Sequence, residues 1–158
     1  MKTTQFLVSA VWLASAIIGT GELAEAAPSA AASTPVLTDE KSIEGVLRKQ
    51  FDKPQTPLQV LAIAIEGEYA VAGWIQDRQG GRALLKKEKG QWSIEVCAGD
   101  GLAQPATLAM TGMTQSAASR LAEKVKLSEK RLSAQQVRMF GLFKGVVQVN
   151  GAAHGAHP

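Results

Sequence analysis

The chain has 158 residues, with 17 Lys and Arg against 14 Asp and Glu, so its formal net charge is +3. The charges are scattered, with no Arg-rich arm and no interleaving of basic and aromatic residues, which argues against a nucleic-acid-binding protein. Cys97 is the single cysteine and excludes an intramolecular disulfide. The length suits one domain that is stabilised by packing alone.

The segment 1–26 has the pattern of a secretory signal peptide. Lys2 gives it a positive start, an apolar run extends from Phe6 to Ile18, and Ala24-Glu25-Ala26 matches the small-x-small cleavage pattern. As a helix this run is too short for a hydrocarbon core of roughly 30 Å. We therefore expect cleavage near Ala26, no stable membrane insertion afterwards, and a periplasmic location.

Residues 27–37 are rich in small residues and proline and are expected to form a flexible linker to a single domain over residues 38–149. The first helix of this domain is predicted to be capped by Thr38 and to end before Pro54. Its apolar residues recur at helical spacing and form one stripe: Ile43, Val46, Leu47 and Phe51.

The next part of the chain alternates between short apolar strands and turn residues. Four strands are predicted, at 60–65, 69–76, 82–87 and 92–98, and the turn between the second and third is placed at 77–81, where two glycines occur. Short strands joined by tight turns indicate an antiparallel meander. One face of the meander is expected to pack against helices, because four strands alone would leave apolar side chains in water.

Helical spacing returns after the fourth strand. Helices are predicted at 105–110 and 114–132, and a last one is opened by a capping box of Ser133 and Gln136. Residues 146–149 allow a final strand, and residues 150–158 are expected to be disordered. The predicted fold class is α+β: an N-terminal helix, a four-stranded antiparallel meander, two or three C-terminal helices and an optional last strand.

The positions of the histidines argue against catalysis. His154 and His157 lie in the predicted tail, whereas catalytic pairs and zinc sites need histidines held rigidly. Asp100 lies between two glycines and is interpreted as a turn residue that caps its own backbone, and Glu66 and Glu68 are interpreted as solvated loop charges. We therefore expect no enzyme, and a small carboxylate-based enzyme is the least favoured alternative.

Copper is the one metal for which the sequence offers candidate ligands. Met110 and Met113 place two thioethers three residues apart, and Cys97 lies upstream. Thioether and thiolate ligands select Cu(I), whereas imidazoles such as those of His154 and His157 suit both oxidation states. Packing is the alternative for the sulfur-containing residues, because methionine fills core gaps and a lone cysteine is usually buried. The histidine pair would form at best a weak site, since ordering the tail costs entropy.

The segment from Asp52 to about Phe143 resembles the small exported bacterial proteins known as copper uptake system-associated proteins. The matching blocks are Asp52-Lys53-Pro54 with Pro57-Leu58, Gly67 to Trp74 with Gln76, Gly80 to Leu85, Trp92 with Cys97, Gly99 and Asp100, and finally Phe140, Phe143 and Gly145. The resemblance implies a periplasmic accessory protein of copper uptake, with copper as a weak or transient ligand and copper transport components as partners. It implies no set of copper ligands.

Two classes of function remain open. The first is the copper-uptake accessory protein, which binds copper weakly or docks on a copper carrier or transporter. The second is a non-metal module that binds a peptide, a lipid fragment or a protein through an open sheet face or an unpaired edge strand. An exposed cluster of Cys97 with Met110 or Met113 would favour copper, and a deep apolar pocket away from Cys97 would favour the second class.

Overall fold

The computed structural model describes residues 38–149. The predicted signal peptide, linker and tail, including His154 and His157, lie outside the described residues. The elements in chain order are α1 (Asp39–Phe51), β1 (Gln59–Glu66), β2 (Tyr69–Gln76), β3 (Gln79–Glu88), β4 (Gln91–Ala98), a 3₁₀ turn (Asp100–Ala103), α2 (Pro105–Ala109), α3 (Gln115–Glu129), α4 (Ala134–Phe140) and β5 (Val146–Gln148). This order confirms the α+β fold class. Across residues 38–149, no helix combines the length and apolar character needed to cross a membrane.

The five strands form one antiparallel sheet in the order β1-β2-β3-β4-β5. The first four strands form the predicted meander, and the optional last strand is present as β5, which pairs with β4. β4 contains a register shift opposite Leu84 and Leu85. Ile94 pairs with Leu85 and Cys97 pairs with Ala83, and these two partners lie two residues apart on one face of β3. The irregularity therefore puts Ile94 and Cys97 on the same face although they are three residues apart.

The turn between β2 and β3 is shorter than the predicted turn at 77–81. Gln76 pairs with Gln79, so only Asp77 and Arg78 form the turn, and Asp77 takes a positive φ of 52°. Asp and Asn tolerate this left-handed conformation better than most residues. The following glycines are therefore not needed for the turn.

Gly80 and Gly81 lie inside β3, and packing explains why they have no side chain. A Cβ at Gly80 would lie 2.7 Å from the backbone oxygen of Met139, and a Cβ at Gly81 would lie 2.9 Å from the ring of Trp74. Glycine in a strand interior commonly marks such a close approach. The glycines allow α4 to approach one face of the sheet and the Trp74 ring to lie flat on the other.

The predicted helix starts are confirmed by their caps. The Thr38 hydroxyl accepts a hydrogen bond from the N–H of Lys41 at the start of α1, and Thr114 caps α3 in the same way. Ser133 and Gln136 form the complete capping box of α4. Such caps satisfy backbone N–H groups that have no partner within the helix.

Helices cover both faces of the sheet, whereas the sequence predicted helices on one. The α3 face packs against α2 and α3 through a core that includes Val71, Leu84, Leu102, Leu121 and Val125. The α1 face packs against α1 through a second core that includes Ile43, Leu47, Ala83, Leu85 and Cys97. Both faces are covered because β2 and β3 have apolar or small residues at consecutive positions, as expected for strands with two buried faces.

Residues 141–145 connect the two faces at one end of the sheet. Phe140, the last residue of α4, is fully buried and its ring lies against Gly73. Three residues later Phe143 packs into the core of the α1 face. The chain then enters β5. The segment 141–145 therefore passes from the α3 face to the α1 face around this end of the sheet.

Candidate functional site

An apolar cavity of about 240 Å³ opens on the α1 face between the end of α1, β5 and the segment 141–145. Its apolar lining comes from α1, β2, β4, β5 and the segments that connect or follow them, and comprises Phe51, Leu58, Trp74, Cys97, Phe143, Val147 and Val149. We call it the Trp74 cavity.

The aromatic wall of the Trp74 cavity depends on a glycine. The rings of Trp74 and Phe143 meet edge to face, with centroids 5.8 Å apart and planes at 78°. Gly81 pairs with Trp74 in the neighbouring strand, and its missing side chain leaves room for both rings. Edge-to-face pairs of this kind contribute roughly 0.5–1.5 kcal/mol beyond their buried area.

The other end of the cavity is fixed by hydrogen bonds from Gln76. Its side-chain amide donates to the backbone oxygens of Phe51 and Thr56, at 2.8 and 2.7 Å. The backbone N–H of Leu58 donates to the carboxylate of Asp52 at 2.7 Å. These bonds hold the end of α1 and the segment that follows it against β2, so this wall of the cavity is built before any ligand arrives.

The indole N–H of Trp74 is the exception to this polar pairing. Among the described residues, its Nε1 is a side-chain nitrogen shielded from solvent without a hydrogen-bond partner. A buried donor left unpaired costs about 1–3 kcal/mol. Buried polar groups without a partner are rare, so this donor distinguishes the wall of the cavity from the rest of the described core.

Cys97 lies in the wall of the cavity and is buried, as the sequence predicted. Burial raises the pKa of its thiol to about 11, so the thiol is protonated at neutral pH. Metal ligation and nucleophilic attack both need the thiolate. In this arrangement the Cys97 side chain acts as a small apolar group opposite Val147, its partner in β5.

The sulfur-containing residues predicted as copper ligands are not brought together. Cys97 belongs to the core of the α1 face, whereas Met113 is buried in the core of the α3 face, so the sheet separates them. Met110, after α2, is 87% exposed. His154 and His157 lie outside the described residues. Within residues 38–149 no group of three or more His, Cys, Asp or Glu side chains is placed to hold a metal ion.

Asp100 lies in a turn, as predicted, but its side chain does not cap its own backbone, so that part of the interpretation was wrong. Its carboxylate accepts a hydrogen bond from Arg82 Nη1 at 3.1 Å. Arg82 also donates two hydrogen bonds to Glu129 of α3, at 2.7 and 2.9 Å. Burial lowers the pKa of the Arg82 guanidinium, but these bonds outweigh it and leave the pKa raised. Arg82 is therefore a permanent buried cation that joins β3, α3 and the 3₁₀ turn.

Glu66 is not a solvated loop charge either. Its side chain is largely covered and forms ion pairs with Lys124, at 2.9 Å, and with Arg120, both on α3. The hydrogen bond from Lys124, followed by that from Arg120, lowers the pKa of Glu66. A carboxylate held ionised between two cations is a poor general acid, so this pair ties α3 to β1.

Comparisons of the chain with protein-family models, with curated proteins and with solved structures find no match. The resemblance to copper uptake system-associated proteins therefore stays a prediction from its residue blocks. The structure places several of those blocks at one end of the sheet: Gly73 and Gly80 contact α4, Arg82 binds Asp100, and Gly99 approaches Phe143.

The sequence analysis named one arrangement that would favour copper binding and one that would favour a non-metal binding module. Neither is present in the expected form among the described residues. Cys97 forms no exposed cluster with Met110 or Met113, and the apolar cavity includes Cys97 in its wall instead of lying away from it. The signal for the cavity in the sequence is Gly81, which lies opposite Trp74 in the neighbouring strand and leaves room for its ring.

Proposed function

We propose that this protein is a non-catalytic binding module, and that the Trp74 cavity receives an apolar side chain from an extended segment of a protein partner. The cavity itself, about 240 Å³ and lined by the aromatic rings of Phe51, Trp74 and Phe143, is the observation that supports the proposal. Drug-sized ligands need pockets of roughly 300–1,000 Å³. A smaller apolar pocket suits a single anchor side chain of the type that dominates protein interfaces.

The edge strand β5 supports an extended partner. β5 is the last strand of the sheet in the described residues and pairs on one side with β4. Its residues Val146 and Val147 are 64% and 51% exposed. A peptide that adds a strand beside β5 would gain backbone hydrogen bonds and present alternate side chains to the α1 face, where the cavity lies.

The environment of the ionisable groups supports a role without catalysis. The Cys97 thiol is protonated at neutral pH because burial raises its pKa to about 11. Glu66 and Glu129 are paired with cations of other elements, and Asp100 is bonded to Arg82. None of these groups is both accessible and free of a cation partner, as a general acid or base must be.

The association with copper uptake is proposed on the resemblance. In this form the partner is a component of copper transport, the location is the periplasm, and copper binds weakly or transiently. The position of the resemblance blocks favours docking, because Trp74, Cys97 and Phe143 all line the cavity. Direct binding would depend on His154 and His157, with Cys97, Met110 and Met113 as weaker candidates because the fold separates them.

The binding proposal is tested with a neutral peptide probe. The probe is an acetylated pentapeptide ending in phenylalanine amide, and its binding to the purified protein is followed by fluorescence anisotropy and by protection of Cys97 from alkylation. We expect measurable binding with a dissociation constant below about 1 mM. Occupation of the cavity should slow alkylation, since Cys97 lies in its wall.

Two substitutions in β5 provide the matched comparison. Val147 lines the cavity, whereas Val146, its neighbour, points to the other face of the sheet. Val147→Trp should fill the mouth of the cavity and weaken binding at least about tenfold, about 1.4 kcal/mol, whereas Val146→Trp should leave it unchanged. Equal effects of the two substitutions would overturn the proposal. So would the absence of binding both by this amide and by the same peptide with a free C-terminal carboxylate.

Direct copper binding has its own test. The protein and a variant that ends at Val149 are titrated with Cu(I) and Cu(II) against chromogenic competitors. A dissociation constant tighter than about 10 μM that is lost in the shortened variant supports a site at His154 and His157. Binding weaker than that for both ions, unchanged in the shortened variant, would remove direct binding and leave docking as the copper-related role.

A further inference from the structure

A second cavity, of about 320 Å³, adjoins the Trp74 cavity at the end of the sheet. Gln79 and Phe143 line both cavities, so the two are neighbours that share a wall. The second cavity differs in its charge: Arg78 of the β2–β3 turn and Lys144 of the segment 141–145 both line it. We call it the Arg78–Lys144 cavity.

The two cations of this cavity are available to a ligand. Over residues 38–149 neither Arg78 nor Lys144 takes part in an ion pair, and Lys144 Nζ makes only a long hydrogen bond, 3.5 Å, to the Gly141 oxygen. The nearby acids are Asp77, exposed beside Arg78 in the turn, and Asp100, which is bonded to Arg82. The cavity that adjoins the apolar one is therefore lined by two cations that, over residues 38–149, have no carboxylate partner in an ion pair.

We propose that the two cavities together bind the C-terminal residue of the partner, with its α-carboxylate between Arg78 and Lys144 and its apolar side chain in the Trp74 cavity. This inference rests on the proposed function and specifies the partner segment. An Arg guanidinium binds a carboxylate through two parallel N–H···O bonds, and Lys adds a point charge. The shared wall of Gln79 and Phe143 keeps the two groups of the ligand within one residue of each other.

Strand geometry favours a chain terminus over an acidic residue adjacent to the anchor. In an extended segment, neighbouring side chains point to opposite faces. An anchor side chain and the next acidic side chain therefore cannot both enter adjoining cavities on one side of the peptide. A C-terminal residue supplies the apolar side chain and the carboxylate from a single Cα, which matches the adjacency of the cavities.

The experiment compares two peptides that differ in one group. The acetylated pentapeptide ending in phenylalanine is used as the free acid and as the amide, with fluorescence anisotropy and Cys97 alkylation as readouts. We expect the free acid to bind at least about tenfold more tightly, and this advantage to shrink as salt is raised, because exposed charges are screened.

Matched charge variants locate the effect. Arg78→Gln combined with Lys144→Gln should abolish the preference for the free acid, so that its affinity falls to that of the amide. The control combines Lys130→Gln with Arg131→Gln, which removes the same two charges from exposed positions after α3 and should leave the preference intact.

The outcomes distinguish this inference from the proposed function. Equal affinities for acid and amide would overturn the carboxylate site and leave the binding module standing. Absence of binding by both peptides would overturn both proposals. Loss of the preference in the control variant would show a general charge effect and also overturn the site. Displacement of the peptide by decanoate at a lower concentration than by the unlabelled free acid would overturn the peptide terminus in favour of a lipid.

Discussion

Arg82 and Glu129 form an ion pair enclosed between β3 and α3. Two guanidinium nitrogens donate to the two carboxylate oxygens at 2.7 and 2.9 Å, and the guanidinium carbon lies 5.2 Å from the centroid of the Phe140 ring. The two side chains are 3% and 11% exposed. Removing one partner would leave the other charge buried and unpaired, which costs about 3–5 kcal/mol. We expect Arg82→Met to lower the free energy of unfolding by that amount.

Two comparisons make this expectation specific. Asp100 also bonds to Arg82, but its side chain is 77% exposed, so Asp100→Asn should cost about 0–1 kcal/mol. Combining Arg82→Met with Glu129→Leu removes both buried charges and should recover most of the loss. Urea titrations followed by tryptophan fluorescence give the free energies of unfolding. If Arg82→Met is already unfolded without urea, Glu129→Gln is measured in its place. Equal costs for Arg82→Met and Asp100→Asn, or additive costs in the double variant, would refute the reasoning.

Three further predictions concern a pair of glycine substitutions, the reactivity of Cys97 and the pH dependence due to Glu66. Gly73→Ala should destabilise the fold by about 1–3 kcal/mol, because the new Cβ would lie 2.5 Å from the fully buried Phe140 ring. Gly45→Ala in α1, which meets nothing within 4 Å, should instead stabilise it by about 0.5–1 kcal/mol in the same urea titrations. Alkylation of Cys97 should accelerate about tenfold per pH unit until its pKa of about 11, and a plateau near pH 9 would contradict its burial. Folding favours the ionised form of Glu66, because its pKa is lowered in the folded protein. Its contribution to the free energy of unfolding should therefore be complete above its ordinary pKa of 4.5 and be lost as the pH falls through the lowered pKa. Glu66→Gln should flatten this acid limb of the stability profile, and an unchanged limb would contradict the assignment.

The helices and strands could be predicted because their signals are local. Alternation of apolar residues, the capping side chains of Thr38 and Ser133, and the glycines near turns each act within a few residues of the chain. The roles of Glu66 and Asp100 could not be predicted in this way. Their partners lie elsewhere in the sequence, on α3 and in β3, and only the packed fold brings them together.

The face on which Cys97 lies shows a second limit of sequence reasoning. Trp92 points to the α1 face, so strict alternation along β4 would put Cys97 on the α3 face, where Met113 is buried. The register shift opposite Leu84 and Leu85 reverses this parity and places Cys97 in the Trp74 cavity. One extra residue in β4 therefore decides whether Cys97 lies on the face of Met113, as a shared copper site would need, or in the wall of the Trp74 cavity. The cavity itself depends on Phe51, Phe143 and Val147, which are distant in sequence.

Gly99 links the stability of the fold to the proposed site. A Cβ at Gly99 would lie 2.6 Å from the backbone oxygen of Phe143. Since that obstacle is backbone, the segment 141–145 must move to accommodate it.

Gly99→Ala should therefore open the Trp74 cavity as well as destabilise the protein. Phe143 forms one wall of that cavity and Lys144 lines the adjoining one, so we expect faster alkylation of Cys97 and weaker binding of the free-acid pentapeptide. Gly101→Ala is the control, because its Cβ would meet its nearest neighbour, Thr107, at an ordinary 3.5 Å. Both variants are compared at a temperature where circular dichroism shows them fully folded. An alkylation rate and peptide affinity equal to those of the Gly101 variant would contradict the link, because the loop would then have moved without changing the site that it encloses.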